Sequence, residues 1–178
     1  VATLLWGCES LELTAPDMNS EKAIQRVVEA YGEYIDTDQY RPVSISWMEG
    51  ETLSNEIATM SVVMIGKDDK AYSRSFKVGG DYQGANDMSE NTMSFYRNMN
   101  FDDVKWITKE DIDAATIMAQ FGKVPAEIDE NFEEELVFRS IGRYTLSADQ
   151  YSGDVTGDFT YNVVEKGNVT SVEGRNIV

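Results

Sequence analysis

The stretch that decides the fold is Ser20–Ile35, SEKAIQRVVEAYGEYI, together with the three extended segments that follow it. From Ile24 to Ile35, apolar residues recur at three- and four-residue steps, which is typical of an amphipathic helix. Ser20 is a favourable N-cap for that helix because its side-chain oxygen can accept from a free backbone N–H. Alternating and β-branched residues then predict strands at Val43–Trp47, Ile57–Ile65 and Ala71–Val78.

The same order of elements recurs from Thr108 onward. Thr108-Lys-Glu-Asp111 has the form of a capping box and predicts a helix to Phe121, and Pro125 predicts the first turn of a second, short helix. Extended segments at 136–146, 155–164 and 169–178 predict three more strands. We therefore expect an α+β protein of two pseudo-repeated units, each a helix followed by a three-stranded antiparallel meander, with the units sharing or stacking their sheets.

This pattern divides the chain into four parts. Residues 20–79 form the first α+β unit and residues 108–178 the second. Residues 80–107 are a connector that is too apolar for a free linker, so we expect it to pack on the core or to form a ligand surface. The partner-binding candidates in the second interpretation are Tyr82, Phe95 and Tyr96. Residues 1–19 are either a signal-peptide remnant and tether or an edge strand.

Composition narrows the possible functions. The chain has no histidine, which removes the commonest general base and transition-metal ligand, and its single cysteine, Cys8, cannot form an intramolecular disulfide or a CxxC site. With 32 acidic and 15 basic residues, the net charge is −17. Such a surface repels nucleic acids and favours cationic partners. No stretch approaches the ~20 apolar residues of a membrane-spanning helix.

The carboxylates are the candidate residues for catalysis and metal binding. Five acids lie in the seven residues from Asp129 to Glu135, and Glu130 and Glu134 are the calcium candidates among them; a solvated charged face is the alternative. The spacing of Asp149, Asp154 and Asp158 also suggests calcium, but it lacks the order of an EF-hand loop. No cofactor is expected. A carboxylate-pair hydrolase is the enzymatic alternative, although the sequence does not single out a pair.

The amino terminus resembles the end of a bacterial lipoprotein signal peptide. Residues 1–7 are largely apolar, the chain turns polar at Glu9, and Leu5-Trp6-Gly7-Cys8 takes the place of the lipobox. The resemblance implies that Cys8 is lipidated and begins the mature protein in the periplasm or at the outer membrane of a bacterial cell envelope. The alternatives are a buried strand over residues 3–13 and a secreted soluble protein.

The order of elements resembles the tandem α+β modules of the PepSY-like and β-lactamase-inhibitor-protein-like families. Lys123-Val-Pro-Ala-Glu-Ile-Asp-Glu-Asn-Phe132 is similar to the Val-Pro helix of PepSY-like lipoproteins. The resemblance implies a non-catalytic module that binds a peptide or protein on a sheet face or edge. We thus expect an envelope binding protein rather than an enzyme, with a structural subunit of an envelope assembly as the alternative.

Overall fold

The computed structural model describes residues 14–80, 84–132, 135–167 and 173–177. These residues form an α+β fold with three α-helices and a single antiparallel sheet. The helices are α1 (Glu21–Tyr34), α2 (Ala114–Phe121) and α3 (Val124–Asn131). The strands are β1 (Tyr40–Glu49), β2 (Ile57–Gly66), β3 (Ala71–Lys77), β4 (Gly84–Ala85), β5 (Ser89–Glu90), β6 (Leu136–Ala148), β7 (Val155–Glu165) and β8 (Glu173–Ile177).

Helix α1 forms where the sequence predicts it. Ser20 is its N-cap and accepts a hydrogen bond from the backbone N–H of Ala23 at 3.2 Å. The apolar face of the helix is buried against the sheet, and it includes Ile24, Val27 and Tyr31. The Tyr31 hydroxyl donates to the Ile107 carbonyl at 2.9 Å, which ties the helix to the connector.

The sheet is assembled from two three-stranded meanders that meet at its centre. Its order is β4-β3-β2-β1-β6-β7-β8, and β5 also pairs with β3. The central pair, β1 and β6, aligns Trp47 with Tyr144, and their rings stack with centroids 4.7 Å apart. Both side chains are buried in a core that also contains residues of α1, α2 and α3. The two meanders therefore share one sheet and one core.

The prediction of a continuous helix from Thr108 to Phe121 is wrong. Thr108 does form a capping box with Asp111, but the box closes only a 3₁₀ turn at Lys109–Asp111. Ile112 then leaves the helical region, and α2 begins again at Ala114. The cause is a second cap: the Asp113 carboxylate accepts from the Thr116 N–H at 2.7 Å and starts a new helix.

The connector packs on the sheet face opposite the helices. Its short strands β4 and β5 extend the β3 edge, and Val104 packs with Val43, Ile65 and Ala71 in a second, smaller apolar cluster. The Arg41 guanidinium lies over the rings of Phe101 and Trp106, 4.4 and 4.6 Å from their centroids. The connector is thus held against β1. No helix in the described part of the chain is long and apolar enough to cross a membrane.

Candidate binding groove

Serine and threonine supply ten of the fifteen side chains that strand register places in three rows across the sheet face that the helices leave open. The rows are Thr160, Arg143, Met48, Thr59 and Lys77; Asp158, Thr145, Ser46, Ser61 and Ser75; and Thr156, Ser147, Ser44, Val63 and Ser73. The hydroxyls of Ser61 and Ser75 hydrogen-bond each other at 3.0 Å. Such a face offers hydrogen-bond donors and acceptors at little steric cost.

A groove of about 740 Å³ opens at one end of this face, between the connector and the β6–β7 turn. We call it the connector groove. Its connector side is built from residues 94–104 and its other side from residues 147–151 and Thr156. Apolar surface is supplied by Met99, Val104 and Ala148, and hydroxyls by Ser147 and Thr156. This volume lies within the range of sites that bind ligands.

Two aromatic side chains on the groove are unusually exposed. Phe95 is 71% and Tyr151 99% exposed, and both line the groove; Met93, two residues before Phe95, is 63% exposed. Val137 is the fourth large apolar residue exposed in the described part of the chain. Exposed apolar area costs about 25 cal/mol per Å², so a cluster of it marks a surface suited to a partner.

The β6–β7 turn presents Tyr151 on an ordered backbone. The Asp149 carboxylate accepts from the N–H groups of Ser152 and Tyr151 at 2.7 and 2.8 Å, and Gly153 supplies the positive φ of 82° that closes the turn. These N–H donors lower the pKa of the Asp149 carboxyl, so the group is charged at neutral pH. Asp149 and Asp154, whose spacing suggested calcium, are therefore part of a turn.

Gln150 joins the two sides of the groove. Its side-chain amide accepts from the Lys105 N–H at 3.0 Å and donates to the Lys105 carbonyl at 2.8 Å. The same NH₂ donates to the Ala148 carbonyl at 3.1 Å. One side chain thus satisfies both backbone groups of a connector residue, and it fixes the connector relative to the β6–β7 turn.

The predicted site residues have different positions. Phe95 lies on the connector groove, whereas Tyr96 faces a smaller pocket of about 320 Å³ that it shares with Lys70, Glu90 and Arg97. The rings of Phe95 and Tyr96 contact each other edge to face, with centroids 5.2 Å apart. Burial raises the pKa of the Tyr96 phenol. Tyr82 and Cys8 lie outside the described residues.

The two calcium candidates are not both among the described residues. Glu130 is exposed on α3, and Glu134 lies outside the described residues. Among the residues that the structure describes, no three acidic, cysteine or histidine side chains are close enough to hold a metal ion.

A second cavity, of about 500 Å³, lies between α2 and the sheet on the helix-covered face. Glu110, Asp111 and Asp113 line it, as does the hydroxyl-bearing ring of Tyr144. Two of these carboxylates cap helical turns: Asp111 accepts from the Thr108 N–H, and Asp113 accepts from the Thr116 N–H at the start of α2. The Tyr144 hydroxyl donates to the Gln120 side chain at 2.5 Å, and burial raises the pKa of Tyr144 to about 12. The carboxylates of Asp111 and Asp113 and the hydroxyl of Tyr144 thus have structural partners.

No specific sequence signal marks the other side of the groove. Gln150 and Tyr151 lie in a polar segment between two strands, where an aromatic residue is the sole hint of recognition. Their role depends on the pairing of β1 with β6, which brings the β6–β7 turn beside the connector. No family model, curated protein or solved structure matches this chain.

Proposed function

We propose that the chain is a non-catalytic binding protein of the bacterial cell envelope that recognises a protein or peptide in the connector groove. The observation that carries the proposal is the exposure of Phe95 and Tyr151 on the two sides of one groove. Aromatic side chains bring large contact area at small entropic cost, and they dominate protein–protein recognition energies.

The surroundings of these rings support a polypeptide ligand. The groove is continuous with hydroxyl rows on the open sheet face, since Ser147 and Thr156 belong to both. An extended chain needs partners for backbone N–H and C=O groups, and hydroxyl and amide side chains such as Ser147, Asn98 and Asn100 supply them.

The wider organisation is part of the same proposal. Lipidation at Cys8 would place the protein at a membrane surface, and the two units would be tandem copies of a PepSY-like module. What supports tandem copies is the order of elements, since α1 precedes β1–β3 and α2 and α3 precede β6–β8.

Selection from a library of displayed random peptides tests the groove. Peptides enriched on the wild-type protein should lose affinity for the Phe95→Ser and Tyr151→Ser variants. Removing one aromatic contact costs about 2 kcal/mol, or about thirtyfold in Kd. Val137→Ser, which removes an exposed apolar side chain from β6, is the matched control and should bind as the wild type does. Isothermal calorimetry measures each Kd.

Two results would overturn the proposal. One is a selection that enriches no peptide above an unrelated acidic protein of the same charge. The other is enrichment of peptides whose Kd is the same for Phe95→Ser, Tyr151→Ser and Val137→Ser.

A further inference from the structure

We infer that the segment bound in the connector groove carries a basic residue, and that its cation lies against the Phe95 and Tyr151 rings beside the Asp103 and Asp149 carboxylates. The inference rests on the proposed function and names the chemistry of its partner. It follows from the charges of the groove rather than from its shape.

The charged side chains that line the groove are all acidic, whereas the methylene groups of Lys105, outside the lining, lie beside Gly153 of the β6–β7 turn. Asp103 on the connector and Asp149 on the β6–β7 turn are both exposed, and neither lysine nor arginine lines the groove in the described part of the chain. The whole chain adds a net charge of −17, which attracts cations to every acidic concavity. A cationic side chain is thus the charged group that the groove favours, and an acidic one is repelled.

The exposed rings favour the same chemistry. The faces of Phe and Tyr are electronegative and attract a guanidinium or ammonium group placed over them. The protein already contains this arrangement, because the Arg41 guanidinium lies over Phe101 and Trp106 and the Arg74 guanidinium lies over Phe76. Carboxylates beside such rings hold the charge, while the rings cover the apolar part of the side chain.

A defined peptide series tests the inference. The probes are Ac-Ala-Arg-Ala-Arg-Ala-NH₂, its analogue with citrulline in place of arginine, and its analogue with glutamate. Citrulline keeps the shape of arginine and lacks the charge. The readout is the nitrogen–proton NMR spectrum, in which the side-chain amides of Asn98, Asn100 and Gln150 report on the groove directly. The arginine peptide should shift these three amides and bind about tenfold more tightly than the citrulline peptide.

Two variants locate the charge that matters. Asp103→Asn keeps the size of the side chain and removes its charge. It should therefore weaken binding of the arginine peptide severalfold and leave binding of the citrulline peptide unchanged. Asp87→Asn, at an exposed position of the connector that does not line the groove, is the matched control and should bind as the wild type does. Added salt should weaken binding of the arginine peptide to the wild-type protein.

The outcomes separate this inference from the proposed function. Equal binding of the arginine and citrulline peptides, no arginine-dependent shift of the three amides, or an undiminished affinity in Asp103→Asn overturns the inference. If library selection still returns neutral peptides that depend on Phe95, the proposed function stands without a cationic anchor. If neither peptide type depends on Phe95 or Tyr151, both fail.

Discussion

Glu49→Gln is a sensitive test of how the central strands and their turns are held together. Glu49 ends β1 and is 9% exposed. Its Oε1 accepts from Asn162 Nδ2 at 2.9 Å, from the Leu53 N–H at 3.1 Å and from the Ser140 hydroxyl at 3.2 Å. Its Oε2 accepts from the Asn55 N–H at 2.8 Å. One carboxylate therefore connects the turn after β1 to strands β6 and β7.

The magnitude follows from the number of acceptors lost. Glutamine has nearly the same shape, but an NH₂ group replaces one oxygen. In the better of its two orientations the NH₂ group faces the Asn55 N–H, so a partly buried donor loses its partner at a cost of about 1–3 kcal/mol. The remaining hydrogen bonds also lose the strength that the charge gave them. We expect the free energy of unfolding to fall by about 2–3 kcal/mol.

Urea unfolding followed by far-ultraviolet circular dichroism measures this change. Glu51→Gln, at an exposed position in the adjoining turn, is the matched control and should stay within about 0.5 kcal/mol of the wild type. If Glu49→Gln also stays within about 0.5 kcal/mol, the carboxylate does not hold these strands together and the reasoning is refuted.

At Gly157, an added Cβ would lie 2.0 Å from the Tyr144 hydroxyl oxygen, so Gly157→Ala should lower the free energy of unfolding by about 1–3 kcal/mol, measured by urea unfolding. Because the pKa of Tyr144 is raised from 10.0 to about 12, its stabilising effect is complete below pH 10 and is lost as the pH rises towards 12. Ultraviolet difference spectra and circular dichroism should show its ionisation coupled to unfolding. For Cys8, palmitate labelling in a bacterial host should tag the wild type and leave Cys8→Ser unlabelled.

Each of these predictions has a control or a contradicting result. Gly122→Ala, where the nearest atoms to an added Cβ are 3.6 Å away, should be tolerated, and an equal loss in both glycine variants would contradict the packing argument. Tyr144→Phe should reduce the alkaline loss of stability, and an unchanged loss would assign it to other groups. An unlabelled wild-type protein with residues 1–7 intact would contradict the proposal of a lipid anchor at Cys8.

Local patterns predicted most of the elements but not how they assemble. The period of Ile24 to Ile35 predicted α1, and alternation predicted β1, β2 and β3 close to their observed bounds. The break before α2 was missed because two overlapping caps, at Thr108 and Asp113, both fit a helix start. A cap pattern shows where a helix can begin and not whether the preceding turn continues into it.

The sequence predicted one side of the groove and not the other. Phe95 stood out as an aromatic residue in a polar segment, and it does line the groove. Tyr151 and Gln150 did not, because their place beside the connector depends on the pairing of Trp47 with Tyr144 across β1 and β6. Strand pairing between distant segments is not encoded in either strand's own periodicity.

Photocrosslinking at position 95 tests the central claim most directly. The photoreactive residue p-benzoylphenylalanine replaces Phe95 in one variant and Val137 in another, and each is irradiated with a peptide selected on the wild-type protein. A partner bound in the connector groove should crosslink at position 95 and should not crosslink at position 137. Crosslinks at position 137 alone, or equal yields at both positions, would contradict the account.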